Sequence, residues 1–272
     1  MKNRFNSVVF AACLVVIAFA LRWPSCGESF WLDELHTAWC TFGTLDQVSH
    51  RASIGNQQPL YFWGLWIWQR VAPAALIDFY GIEAWLRLTS VVASAASAGI
   101  VYAIVRHATQ SHLGGIAAGV AMALESSSIF YGTELRPYAW IVLFSAIAIG
   151  LAALPCRRST RWCLHAIILL STVTHLTSLI GLAPLIGMIM VMDWWQEKPK
   201  PQRWSNWYSC HLIPLVIWAS FVGLTVLNHT DLWGVRERWS VFASPNSLWQ
   251  IWQLWPWWSL VIFPSIASLV VW

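Results

Sequence analysis

Three short polar segments interrupt an otherwise apolar chain, and each carries groups able to do chemistry. The first, Ser29-Phe30-Trp31-Leu32-Asp33-Glu34-Leu35-His36-Thr37-Ala38, holds two adjacent carboxylates. On a helix such neighbours point about 100° apart. Asp33 can therefore face a reactant and take a proton from an attacking hydroxyl, the general-base role, while Glu34 holds the loop or a cation. The plainer alternative is that Asp33 caps a short surface helix. The second segment, Asn56-Gln57-Gln58-Pro59-Leu60-Tyr61, leads into an apolar stretch, with Pro59 suited to a first helical turn. It reads equally as a simple loop-to-helix junction. The third, Tyr131-Gly132-Thr133-Glu134-Leu135-Arg136-Pro137-Tyr138, sets a carboxylate and a guanidinium at a helix boundary. A guanidinium grips phosphate oxygens as a fork, which an ammonium does not. An internal Glu134–Arg136 ion pair, or an arginine reaching for headgroups, is the alternative there.

The elements that must position these groups belong to a membrane. Only 10% of the 272 residues are charged and 58% are hydrophobic, with a mean hydropathy of +0.56. A water-soluble domain carries roughly 25% charged residues. Apolar runs reach the roughly 20 residues that cross a bilayer core, and unbroken runs favour helices over the alternation of a barrel. The 22 tryptophans gather at the ends of these runs, at Trp23 and Trp31, Trp194 and Trp195, and from Trp249 to Trp258. Indole settles at the headgroup level, so most of them read as interfacial anchors. The formal charge of +4 is too small to indicate nucleic-acid binding. Six cysteines include no CxxC pair and no His/Cys ligand spacing, which argues against a zinc motif. A disulfide between Cys26 and Cys40 is open.

Lys2 and Arg4 precede an apolar run from Phe5 to Leu21, and Ala18-Phe19-Ala20 resembles a cleavage site. The run is read as a retained helix, because the polar motif after it needs an anchor at the bilayer surface. Further spans are expected at about 85–105, 113–130, 137–154, 162–178, 180–193, 211–227 and 257–272, about eight in all. Basic residues fix the sides. Arg106 and His107, then Arg157, Arg158 and Arg161, then Lys198, Lys200 and Arg203 fall in alternate loops, which are expected in the cytoplasm. Asp33, Glu134, His175 and the stretch 228–256 then lie outside, where no positive-inside bias calls for Arg136. This parity leaves the apolar stretch from Pro59 to Ala72 lying in the outer interface, since 14 residues of helix reach only about 21 Å. Gly181 and Pro184 predict a break between two short helices after His175. The triplet Asn228-His229-Thr230 is a sequon that chance explains. The chain ends at Trp272 inside an apolar run, which predicts a shortened form of something larger.

Together the motifs resemble the membrane-embedded GT-C glycosyltransferases, closest to the protein mannosyltransferase and aminoarabinose-transferase type. The resemblance rests on Trp31-Leu32-Asp33-Glu34, the Gln58-Pro59-Leu60-Tyr61-Phe62 segment, Leu86-Arg87-Leu88-Thr89-Ser90 and Glu134-Leu135-Arg136-Pro137-Tyr138, in that order. It covers roughly residues 5 to 195 of a single membrane-embedded module spanning 1–272, with the family's C-terminal part absent. The resemblance implies an all-α multi-pass bundle whose first outer loop carries short interfacial helices. It implies a sugar carried by a polyprenyl-phosphate lipid and passed, with inversion, to a hydroxyl of a glycan, lipid or protein. That chemistry would face the extracytoplasmic side of the inner cell membrane. Asp33 matches the family's essential acid and Glu34 its neighbour. Arg87 and Arg136 match basic positions near the donor phosphate, Glu134 falls near a second acidic residue, and His175 resembles a histidine at the outer end of a later helix. Gln57, Gln58, Tyr61 and Tyr138 complete the expected binding set. The chain departs from the family at Gln57-Gln58, where relatives often carry an acid followed by His or Lys. A divalent cation on Asp33 and Glu34 suits their hard oxygens, though nothing in the sequence demands one. The alternative is a non-catalytic or transport-type multi-pass protein that binds a lipid-linked glycan.

Overall fold

The computed structural model describes residues 2–55, 57–196, 204 and 207–228. The chain forms two units, residues 1–219 and 220–272, and the packing described below belongs to the first. Every regular element among the described residues is helical. Helix α1 (Lys2–Arg22) runs into a tight 3-10 turn at Trp23–Gly27, followed by three short helices, α2 (Leu32–Thr41), α3 (Leu45–Ile54) and α4 (Pro59–Arg70). Then come α5 (Ala74–Thr109), α6 (His112–Leu124), α7 (Ser126–Thr133), α8 (Tyr138–Ala152), α9 (Arg158–Thr174), α10 (Ser178–Gln196), a π turn at Tyr208–Leu212, and α11 (Ile213–Asn228).

Four helices among the described residues are long and apolar enough to cross a membrane: Phe5–Gly27, Ala74–Thr109, Ser178–Trp195 and Tyr208–Thr225. The pair α6 and α7, bent by 55°, makes up to five if it counts as one span. The distribution of polarity agrees with lipid as the solvent. Phe5, Val8, Leu113 and Ile180 are exposed, while Arg22, Ser90, Ser94 and Ser97 are buried. Exposed apolar side chains on helices this long are compatible with an integral membrane protein.

Several sequence expectations change in detail. The span expected at 113–130 is broken, because the Glu125 carboxylate accepts from the backbone N–H groups of Ser127 (3.0 Å) and Ser128 (2.5 Å) and starts a new helix there. The break expected at Gly181 and Pro184 is absent: α10 runs through Pro184. The proline is past the first turn and removes the bond to the Ile180 carbonyl, a loss that apolar helices in lipid tolerate. The chain turns instead at His175–Thr177. Cys26 and Cys40 are both free, so no disulfide joins them. The span expected at 257–272, residues 229–256 of the expected outer loop, the basic group Lys198, Lys200 and Arg203, Asn56, and His229-Thr230 of the sequon lie outside the described residues.

Helix α5 is the hub, packed against α1, α6, α7 and α8. Small residues make this possible. A Cβ on Gly99 would lie 2.7 Å from Val15 Cγ2 of α1, so only glycine lets the two backbones approach. Gly81 divides α5: with φ +85° and ψ 158° it holds a conformation open essentially to glycine alone. This kink turns residues 74–80 away from the span that follows. The first-loop helices share one core, built from Ala38, Val48, Phe62, Leu65, Leu86 and Leu135. Trp68 and Trp85 fasten α4 to α5. Their rings stack at 4.3 Å, and each indole N–H donates to the other residue's carbonyl oxygen, at 2.8 and 3.1 Å. These two tryptophans serve packing as well as any interfacial preference. At 12 residues α4 reaches about 18 Å and is not among the helices able to cross a membrane.

Candidate functional site

The site grows from the start of α2. Trp31, in extended conformation, is the N-cap, and Asp33 and Glu34 fall in the first turn. Asp33 is therefore not the cap. The Glu34 carboxylate takes the capping contact, accepting from the Trp31 N–H at 3.3 Å. Carboxylates in a first turn also complement the helix dipole.

Glu34 then does far more. It is fully buried, and Arg87 of α5 grips it in a fork, Nε to Oε1 at 2.7 Å and Nη2 to Oε2 at 2.5 Å. Oε1 accepts a second bond, from the Leu135 N–H at 2.6 Å. One carboxylate thus ties α2, α5 and the loop between α7 and α8. Arg87 spends its remaining donors on backbone: Nη1 on the Cys26 carbonyl at 2.9 Å and on the Glu28 carbonyl, and Nη2 on the Ser29 carbonyl at 3.3 Å. A guanidinium has five N–H donors, and all five are committed. Here the structure departs from the sequence expectation. Arg87 has no donor left for a phosphate, and Glu34 has no open lone pair aimed at a reactant. The pair supports the site from behind. Nor do Asp33 and Glu34 converge on a shared cation position, because their carboxylates are held by different arginines.

Asp33 points the other way and is partly open, its side chain 40% exposed. Its Oδ2 lies 2.9 Å from Nη1 of Arg136. Arg136 is half-buried; its Nη2 donates to the Tyr138 hydroxyl at 3.1 Å, and the Tyr138 ring lies 5.3 Å from the guanidinium carbon. Its buried Nε–H has no hydrogen-bond partner among the described residues. An unsatisfied charged donor at a half-open site is costly unless something arrives to accept from it.

Glu134 sits beside this pair, 7% exposed. Burial, with the negative charges of Glu34 and Asp33 nearby, pushes its carboxyl up to about 7, although Arg136 pulls the other way. Its side chain makes no hydrogen bond among the described residues. The ring of His175, at the C-cap of α9, lies 5.6 Å from that of Tyr138, and its Nδ1 is 2.7 Å from the Thr177 hydroxyl. The Tyr61 hydroxyl of α4 is buried without a partner at hydrogen-bonding geometry.

Tyr61 also lines a cavity of about 350 Å³ whose other walls include Leu60, Leu65, Trp68, Trp140 and Phe144. Apart from Thr89 and Thr174, the lining is apolar. Its edge, at Tyr61, lies within the electrostatic reach of Arg136 and Glu34. Tyr61 is thus the wall residue that feels the charged group, while Asp33 and Arg136 are not themselves in the lining.

Of the residues expected from sequence, the structure brings Asp33, Arg136, Tyr138, Glu134, His175 and Tyr61 to this place. Gln57 and Gln58 stand apart: Gln58 is buried as the N-cap of α4, and neither amide side chain hydrogen-bonds to the charged group. One neighbour was missing from the expected set. His36 lies one helical turn after Asp33 on α2, half-buried, its ring 5.7 Å from that of Trp39. Burial and the charge of Arg136 lower its pKa, against the pull of Asp33, which favours the neutral ring. The i, i+3 spacing from Asp33 was the available signal. No protein-family model, curated protein or solved structure matches the chain.

Proposed function

We propose that this chain is a membrane glycosyltransferase that takes a sugar from a polyprenyl-phosphate donor and passes it to an acceptor hydroxyl. The observation that carries the reading is the Asp33–Arg136 pair, its Nε–H without a partner among the described residues, acting on Tyr61 in the wall of an apolar cavity of about 350 Å³. A lipid phosphate needs both features at once: a guanidinium for the head and a dry cleft for the first isoprene units. The sequence resemblance points to the same donor.

In this mechanism the phosphate accepts from Arg136 Nε and draws the guanidinium away from Asp33. The freed carboxylate takes the proton of the acceptor hydroxyl as that oxygen attacks the anomeric carbon. The bond from carbon to phosphate oxygen breaks on the opposite face, giving inversion, and the lipid phosphate leaves with its charge held by Arg136. Glu134 and Tyr138 border the sugar, and His175 lies behind Tyr138. On this reading the site faces the extracytoplasmic side of the inner membrane, and the spans number about eight.

The test is transfer from a radiolabelled polyprenyl-phosphate hexose in membranes containing the chain, with Asp33→Asn beside it. Transfer by the wild type and none by a normally accumulating variant supports the reading. Binding of the lipid by both without transfer by either would replace it with the non-catalytic, glycan-binding alternative.

A further inference from the structure

Helix α8 leads away from this site for 15 residues, about 22 Å, and α9 returns. At the far end of this hairpin lies a second buried cluster that sugar transfer does not use. Asp193, on the last turns of α10, is 2% exposed. Arg161 of α9 forks onto it, Nε to Oδ2 at 2.5 Å and Nη2 to Oδ1 at 2.8 Å. The second Arg161 nitrogen, Nη1, donates to the Leu151 and Ala152 carbonyls at 3.1 and 3.3 Å. His211, fully buried, approaches Asp193 Oδ2 with Nε2 at 3.0 Å. Its Nδ1 lies 3.2 Å from Nε2 of buried His165. Cys156, in the link between α8 and α9, completes the group: a sulfur, a carboxylate oxygen and an imidazole nitrogen all lie within 4.8 Å of one another.

We propose that Cys156 Sγ, the Asp193 carboxylate and His211 Nε2 bind a divalent transition-metal ion of the zinc class, with a fourth position open. Three donor types from three separate segments suit that class: thiolate, imidazole and carboxylate. Around a tetrahedral ion with bonds of about 2.0–2.3 Å, neighbouring donors stand roughly 3.3–3.8 Å apart. The 3.0 Å His211–Asp193 contact needs to open slightly and the sulfur, within 4.8 Å of both partners, to close in by at most about 1 Å. A π turn at Tyr208–Leu212 brings His211 inward, a distortion of helices that recurs at functional sites. His165 lies behind His211 at its other ring nitrogen, where a hydrogen bond fixes the tautomer of a ligating histidine. It is a positioning residue.

Thiolate, carboxylate and the Arg161 guanidinium on that carboxylate sum to one negative charge, so a divalent ion favours an anion at the fourth position, while Arg161 keeps the carbonyls at the C-terminus of α8 as partners. Binding displaces the thiol proton to solvent, so it strengthens as pH rises. The sequence hid this arrangement because its donors are 37 and 18 residues apart and form no compact ligand motif.

The detergent-solubilised full chain, stripped with a chelator, is titrated with Co²⁺ and followed by absorption. One equivalent bound, with a thiolate-to-metal charge-transfer band and tetrahedral visible bands, is the expected result. Cys156→Ser removes the charge-transfer band, whereas Cys163→Ser, on the exposed cysteine of the same helix pair, keeps it. His165→Phe keeps the band but weakens binding by roughly 10- to 100-fold. Absence of stoichiometric binding by the wild type overturns the proposal. So does a charge-transfer band that survives Cys156→Ser. The wild-type titration decides the matter even where a variant fails to fold.

Discussion

Asp33 and Glu34 are neighbours in the chain and each is paired with an arginine, yet one pair is closed and the other open. Glu34 and Arg87 are both buried, and every Arg87 donor is used. Asp33 and Arg136 form a single close contact, Asp33 is partly exposed, and the Arg136 Nε–H has no partner among the described residues. The closed pair is what a bundle needs where three segments meet away from water: saturation, because an uncompensated buried charge is expensive. The open pair is what a reactant needs: a charge already desolvated on one side and still able to change partners. Helical geometry makes the division, since consecutive side chains diverge by about 100° and face different neighbours.

The comparison can be broken most decisively at the closed pair. Arg87→Ala leaves Glu34 buried and unpaired and is expected to cost about 3–5 kcal/mol. Thermal unfolding in detergent would show it, and a stable Arg87→Ala chain would mean that the fork holds nothing together. Asp33→Asn probes the opposite property. It is expected to lower sugar transfer by roughly 10²- to 10⁴-fold while leaving the unfolding temperature nearly unchanged, and a large fall in that temperature would make Asp33 structural after all.

Glu134 sharpens the contrast through pH. Its carboxyl is raised to about 7 by burial and by its acidic neighbours. Between the ordinary carboxylate range and pH 7 the folded chain holds this proton more tightly than the unfolded one. Its contribution to stability is therefore full at low pH and fades as pH rises through about 7. The unfolding temperature of the wild type should drop across that window, and Glu134→Gln should flatten the drop. The smallest effect is expected at Tyr61. Its hydroxyl faces Ser90 without reaching full hydrogen-bond geometry, so Tyr61→Phe should change stability by less than about 1 kcal/mol. If donor phosphate meets that hydroxyl, the variant raises the KM for the lipid donor with kcat held. An unchanged KM would remove Tyr61 from the binding set.

How much of this was legible beforehand differs by residue. Periodicity and apolar length located α1, the main span of α5, α8 and α11 to within a few residues, since those properties are local. The 55° break at Glu125 was not legible, because it depends on a carboxylate turning back onto two particular N–H groups. Nor did local sequence warn that α10 would run through Pro184. At the site, motif order gathered Asp33, Glu134, Arg136 and Tyr138 into one group. Only packing separated Arg87 from that group, since an arginine's five donors can be counted as taken only once the carbonyls of Cys26, Glu28 and Ser29 are in place.

Some things the sequence determined by itself: that helices must bury their backbone polar groups in an apolar setting, and that the few charged residues inside such a chain must find partners. Which partners they found is a property of the tertiary structure alone. Pairing is set by the direction of each side chain and by whatever segment crosses its path, 53 residues away for Glu34 and Arg87. Nothing in the order of the residues carries that distance, because it is closed by packing rather than by local preference.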